Sequence, residues 1–197
     1  FALDHLMLIF KSKSIYTFIP KNGCSNLRYS IAVSNGFIEQ NNFSVTNHTW
    51  IDFNNKTFVP RLDQIFDSKF LFVVLRNPYK RIVSCYLDQI VPLSSFLEEK
   101  YEKIFLGRIK KKIYKINRKK NIKRIKFDNI SFKQFIKNIY DKDLLLEDEH
   151  WTPQNNFFIV KNYDEYIDLD DFDNKIKYLE NKTGIKIFDT RNLYGTQ

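Results

Sequence analysis

Glycine and proline are scarce in this chain of 197 residues, with 5 of each. That leaves little room for flexible linkers, and no stretch reads as a repeat or a Gly/Ser tether. The 2 cysteines, Cys24 and Cys85, are too few for a disulfide framework, so a reducing, cytoplasmic setting is the simpler reading. Long apolar runs are missing as well: residues 70–75 form one of the longest, far short of a bilayer span. Phe1 opens no charged n-region, apolar h-region and cleavage site. The chain does not start with Met, so an upstream anchor, and with it a Golgi-lumenal setting, stays open as the alternative. With 3 histidines, imidazole chemistry has few candidates.

What is present is a 43% hydrophobic content, enough for one compact domain over residues 1–197 with a sizeable core. The net charge of +9 favours an anionic partner, although abundant Lys, Asn, Ile, Phe and Tyr point to compositional drift as one source of it. Sequons at Asn47, Asn55, Asn129 and Asn181 carry little weight in so Asn-rich a chain.

Residues 14–19 form a β-branched and aromatic run stopped by Pro20, as a buried strand would be. The polar turn 21–25 precedes a helix over 26–33 with Leu27, Ile31 and Tyr29 as candidates for its inner face. Residues 49–53 alternate like a strand. FLFVVL at 70–75 has no polar face and predicts a central parallel strand covered on both sides. Arg76–Asn77–Pro78 breaks it, and 79–90 reads as a helix with Pro78 near its first turn. Ser131 is an expected N-cap for a helix over 132–140 with Phe132, Phe135, Ile136 and Ile139 at helical spacing. Residues 157–160 suggest another short buried strand. A helix over 169–182 places Phe172, Ile176 and Leu179 on one face and ends at Gly184. Strand and helix alternate, which predicts an α/β fold with a mostly parallel central sheet flanked by helices.

Two segments carry chemistry. In IPKNGCSNLR, residues 19–28, a strand runs through a tight loop into a helix, which leaves backbone N–H groups unpaired at the positive end of a helix dipole. Gly23 permits close approach of a phosphate, Lys21 adds a charge, and Ser25 and Asn26 add neutral donors. The Walker A spacing is absent. In FVVLRNPYKRIVSCY, residues 72–86, Arg76 stands at the carboxyl end of the strongest strand, where open α/β sheets bind ligands. Ser84 lies about two turns into the next helix with Arg81 between, so a guanidinium and a hydroxyl can converge on one phosphate. Either segment alone reads equally well as an ordinary strand exit.

Together they resemble the donor site of sulfotransferases. PKNGCSNL is similar to their 5′-phosphosulfate loop and RNPYKRIVSCY to their 3′-phosphate segment, while EHWTPQ at 149–154 resembles a downstream H-W-x-P segment. The likeness is greatest to carbohydrate sulfotransferases of the chondroitin and HNK-1 types and their bacterial relatives. It implies a P-loop-like sulfotransferase fold, PAPS as donor, PAP as product, a glycan or polysaccharide hydroxyl as acceptor, and no metal. It also implies that Lys21 and the loop Asn22, Gly23, Cys24, Ser25 and Asn26 contact the phosphosulfate, and that Arg76 and Ser84 hold the 3′-phosphate.

A base for the acceptor hydroxyl is either His48, in an interval where the heparan sulfotransferases carry a catalytic His, or His150, beside Glu147, Asp148 and Glu149. His5 is expected to be neither. Residues 94–126 read as a basic helical segment; the run 108–126 is either a solvated face or a recruiter of acidic polysaccharide or anionic membrane. Trp50 and Trp151 are either sugar-stacking platforms or core. Two other readings compete: a P-loop-like nucleotide kinase, weakened by the missing Lys-Ser/Thr pair, and a basic nucleic-acid-binding protein, weakened by the lack of a reader motif. Nucleic acid is therefore not the expected partner.

Overall fold

The computed structural model describes residues 1–40, 50–52, 54–91, 130–141 and 143–190. Its elements are strands β1 (Leu6–Ile9), β2 (Ser14–Thr17), β3 (Phe70–Leu75) and β4 (Glu165–Asp168). The helices are α1 (Cys24–Ser34), α2 (Leu62–Phe66), α3 (Pro78–Gln89), α4 (Phe132–Asp141) and α5 (Phe172–Thr183). The described chain forms two compact units, the first from residues 1–77 with 153–197 and the second from 78–152.

The first unit holds a sheet in the order β1-β2-β3-β4. The β1–β2 pair is antiparallel, while β2–β3 and β3–β4 are parallel, so the sheet is mostly parallel as expected. Both faces are covered. Met7, Ile9, Tyr16, Phe72 and Val74 point to one side and pack with Leu27 and Ile31 of α1 and with Phe172 and Leu179 of α5. Leu6, Leu8, Ile15, Leu71 and Val73 point to the other, against Phe157 and Tyr163. The period-2 alternation of a strand places successive residues of β3 in opposite cores, which is why FLFVVL has no polar face.

Helix α1 buries Leu27, Tyr29 and Ile31 together, and α5 ends on Gly184 in the left-handed conformation at φ 67°. In the second unit, α3 begins at Pro78, and Cys85 and Ile90 pack against Phe135 and Ile139 of α4 and against Leu144 and Trp151. Ser131 caps α4: its hydroxyl accepts from the Gln134 N–H at 3.3 Å. Only half of the expected α4 stripe is inside, since Phe132 and Ile136 are exposed.

Two expected strands are not strands. Residues 50–52 are helical, with Ile51 buried in the sheet core beside a partly buried Trp50. The apolar run at 157–160 starts in a 3-10 turn (Gln154–Phe157), and the ladder forms later, at β4. The basic run 94–126, with its 108–126 stretch, lies outside the described residues. Among the described residues no helix is long and apolar enough to cross a membrane.

Phe72 is fully buried, with ring centroids 5.1 Å from Tyr16 and 5.4 Å from Phe70. Phe72→Ala is expected to cost about 3–5 kcal/mol, the usual range for emptying a buried aromatic site. Urea unfolding checks this, and a loss below about 1 kcal/mol would show that β3 is not the packed centre assigned to it here.

Candidate functional site

The loop between β2 and α1 changes backbone hand twice. Lys21 has φ 70° and Gly23 φ 66°, with Asn22 between them in the ordinary range. Such alternation is the backbone pattern of anion-binding nests, and within it the Asn22 N–H donates to the Ile19 carbonyl at 3.2 Å. For lysine the left-handed conformation costs roughly 1–2 kcal/mol, so surrounding contacts must hold it there. Gly23 is the N-cap of α1 and has no side chain with which to cap it, and no acidic residue stands in the first turn. The first-turn N–H groups therefore lack intrahelical partners at the positive end of the helix dipole. A Cβ at Gly23 would come within 2.7 Å of a Leu169 methyl, which can rotate away, so the left-handed φ of 66° is the stronger reason for glycine here.

Asn22 does not face outward. It is fully buried, and its amide donates to the Val74 carbonyl at 2.8 Å and to Gln154 Oε1 at 2.6 Å. Gln154 Oε1 also accepts from the Arg76 N–H at 3.0 Å, while its Nε2 donates to the Arg76 carbonyl at 2.8 Å. The Arg76 guanidinium reaches back to the loop, Nη1 donating to the Lys21 carbonyl at 2.9 Å. Partial burial pulls the Arg76 pKa down and the nearby Asp170 carboxylate pushes it up. Arg76 Nε has no hydrogen-bond partner among the described residues. An open cavity of about 210 Å³ lined by Leu75, Arg76, Tyr166, Ile167 and Asp168 lies at the carboxyl ends of β3 and β4, where open α/β sheets take ligands.

The rest of the expected loop divides in the same way. Ser25 lies partly buried in the first turn of α1. Asn26 Oδ1 accepts from the Thr190 N–H at 3.1 Å and from the Thr190 hydroxyl, so it ties α1 to the 185–190 segment. The Cys24 thiol is free, and burial raises its pKa against the pull of Arg28 and Lys21. Arg28, which the sequence did not single out, is buried, ion-paired to Asp52 at 2.8 Å and stacked over Phe18 at 4.5 Å.

In the second unit, Ser84 is partly buried on α3. Arg81 donates to the Thr152 carbonyl at 2.6 Å and to the Glu149 carbonyl at 2.9 Å, fixing the HWTP segment. His150 Nδ1 lies 2.7 Å from Asp148 Oδ1, so Asp148 is the carboxylate that orients this imidazole. Trp151 belongs to the core, its indole N–H donating to the Leu144 carbonyl at 2.8 Å. His5 is buried among Phe1, Phe18 and Phe157. His48 lies outside the described residues.

A family model described as "Sulfotransferase family" matches residues 4–188. Carbohydrate sulfotransferase 14 of Danio rerio is 26% identical over 160 residues, 78% of this chain and 41% of the relative. Carbohydrate sulfotransferase 11 of Rattus norvegicus is 26% identical over 163 residues, 76% of this chain and 44% of the relative. The chain thus spans less than half the length of these curated relatives. No solved structure matches at a significant level.

A raised thiol pKa means less thiolate at any given pH, hence slower alkylation. In a Cys85→Ser background, Cys24 is expected to react with iodoacetamide at a midpoint pH above that of an unperturbed thiol, near 8.5. A pH–rate profile at or below that midpoint would show that Lys21 and Arg28, rather than burial, set the state of the loop thiol.

Proposed function

Because the chain belongs to the sulfotransferase family, we propose that it binds PAPS and transfers the sulfuryl group to a hydroxyl of a carbohydrate acceptor. One observation carries this reading: the loop at 20–26 and Arg76 at the exit of β3 are held together, directly by the bond from Arg76 Nη1 to the Lys21 carbonyl and indirectly through Gln154, which accepts from both Asn22 and the Arg76 N–H. The residues suit a donor with phosphate at two places. The loop offers N–H groups and Lys21 to one, and Arg76, whose buried Nε has no hydrogen-bond partner among the described residues, is the candidate for the other. Ser84 is assigned to the same phosphate by its spacing from Arg76. Asn22 and Asn26 support the loop rather than touch the donor, since their side chains are engaged within the protein.

Such a donor, when bound, supplies a sulfuryl group whose in-line transfer leaves negative charge growing on the 5′-phosphate. Lys21 and the first-turn N–H groups of α1 stabilise that charge, and their fixed orientation means little rearrangement is needed as it develops. The acceptor proton goes to an imidazole. His150, oriented by Asp148, has the geometry of a supported base, and His48 is the other candidate. The names of the relatives, both carbohydrate sulfotransferases, support a glycan acceptor. The net charge of +9 suits an acidic one, with membrane contact through 108–126 a second use of the same charge. With 2 cysteines, too few for a disulfide framework, a reducing, cytoplasmic setting is the simpler reading.

Saturating PAP is expected to raise the melting temperature by roughly 5–10 °C, the shift that ligand at about 100 times its Kd gives a protein of this size. Stabilisation by Mg-ATP with none by PAP would replace this reading with a kinase. Lys21→Ala is expected to slow transfer from labelled PAPS by roughly a hundred- to a thousandfold, as loss of one charge-stabilising donor does. His48→Ala and His150→Ala, assayed side by side, identify the base; full activity in both would remove histidine from the mechanism.

A further inference from the structure

Gln154 closes the sequence EHWTPQ and stands at the start of the 3-10 turn Gln154–Phe157, whose last residue is buried in the core under the sheet. Its side chain makes three hydrogen bonds, all within the first unit. Two of them engage both main-chain groups of Arg76, the N–H at 3.0 Å and the carbonyl at 2.8 Å. That is the pairing a neighbouring strand residue would give. Strand β3 ends at Leu75, and the Gln154 amide extends its pairing by one residue, satisfying groups that would otherwise need partners. The third bond reaches Asn22, whose amide is also held by the Val74 carbonyl on β3. The ring closes through Arg76 itself, whose Nη1 donates to the carbonyl of Lys21, next to Asn22.

The geometry points to Gln154 as a positioning residue of the donor site: its single amide sets the exit of Arg76 from β3 and anchors the loop that carries Lys21, so that both phosphate contacts are fixed relative to each other before any ligand arrives. This rests on the reading of the loop and Arg76 as the PAPS site. Gln154 is partly buried, and its polar atoms point to protein, so it acts through Arg76 and Asn22 rather than on the donor. Glutamine suits the position because one amide carries a donor and an acceptor side by side. Methionine has the shape without either function. Glutamate keeps the acceptor and, when ionised, loses the donor.

The test uses Gln154→Met in the full chain with three readouts: PAP affinity by calorimetry, hydrogen exchange at the Arg76 amide, and thermal stability. The expected result is PAP binding weakened on the order of tenfold to a hundredfold, the equivalent of losing two or three ordinary hydrogen bonds. Exchange at the Arg76 amide should accelerate, and in an Arg76→Ala background the same substitution should weaken PAP binding far less than it does alone. A merely structural glutamine would lower the melting temperature and leave PAP affinity and the coupling to Arg76 unchanged, which overturns the proposal. If the wild-type chain does not bind PAP, the donor reading falls by itself. Amide exchange then decides the tether: acceleration at Arg76 supports it, and an unchanged rate overturns it. Should the Met variant fail to fold, Gln154→Glu takes the same readouts, with weakened PAP binding expected and unchanged binding overturning the proposal.

Discussion

Strand β3 has a ladder partner on each side and an apolar core on each face. Its side chains are therefore committed to packing, and its free chemistry is confined to its carboxyl end. The site is organised around that constraint. Arg76 leaves the strand there, the β2–α1 loop arrives beside it because β2 is the parallel neighbour, and β4 supplies the other wall of the cavity. A parallel sheet brings the carboxyl ends of neighbouring strands to one edge, so two segments separated by about fifty residues are brought side by side.

Holding that edge in place takes polar bonds, because the apolar core stops at Leu75. The loop keeps Lys21 in a left-handed conformation that an isolated lysine would avoid. Asn22, buried just behind it, carries the restraint through its bonds to Val74 and Gln154. A cationic loop and a cationic Arg76 at close quarters repel one another when no anion is present, and the nearby Asp170 carboxylate favours the charged form of Arg76 against its partial burial. The second unit has its own version of the same device, with Arg81 gripping two carbonyls and Asp148 fixing His150.

Much of this was legible in the chain. FLFVVL announced a doubly covered strand, and IPKNGCSNL announced a strand–loop–helix turn, because backbone period and turn residues are local signals. Strand β1 escaped notice: LMLI is a short apolar run with no Gly or Pro beside it to mark its ends. Strand β4 was missed for the opposite reason, since EYID is an edge strand with Ile167 as its one buried residue. The alternation at 49–53 misled because, over so few residues, a helical turn can also bury Ile51 beside Trp50. The roles of Asn22 and Gln154 leave no periodic trace, being bonds across sequence separations of 52, 78 and 132 residues. The resemblance set Asn22 among the phosphosulfate contacts; that its side chain is buried and bonded to Val74 and Gln154 is visible only in the fold.

The central claim is that Arg76 at the exit of β3 reads a phosphate that PAP carries and 5′-AMP lacks. Calorimetric titration of both ligands into the wild-type chain and into Arg76→Ala tests it most directly. The account predicts a strong preference for PAP in the wild type, on the order of a hundredfold for a charge-assisted phosphate contact, and its collapse toward equal affinity in the variant. Equal binding of the two ligands by the wild type, or a preference that survives the loss of Arg76, would contradict it.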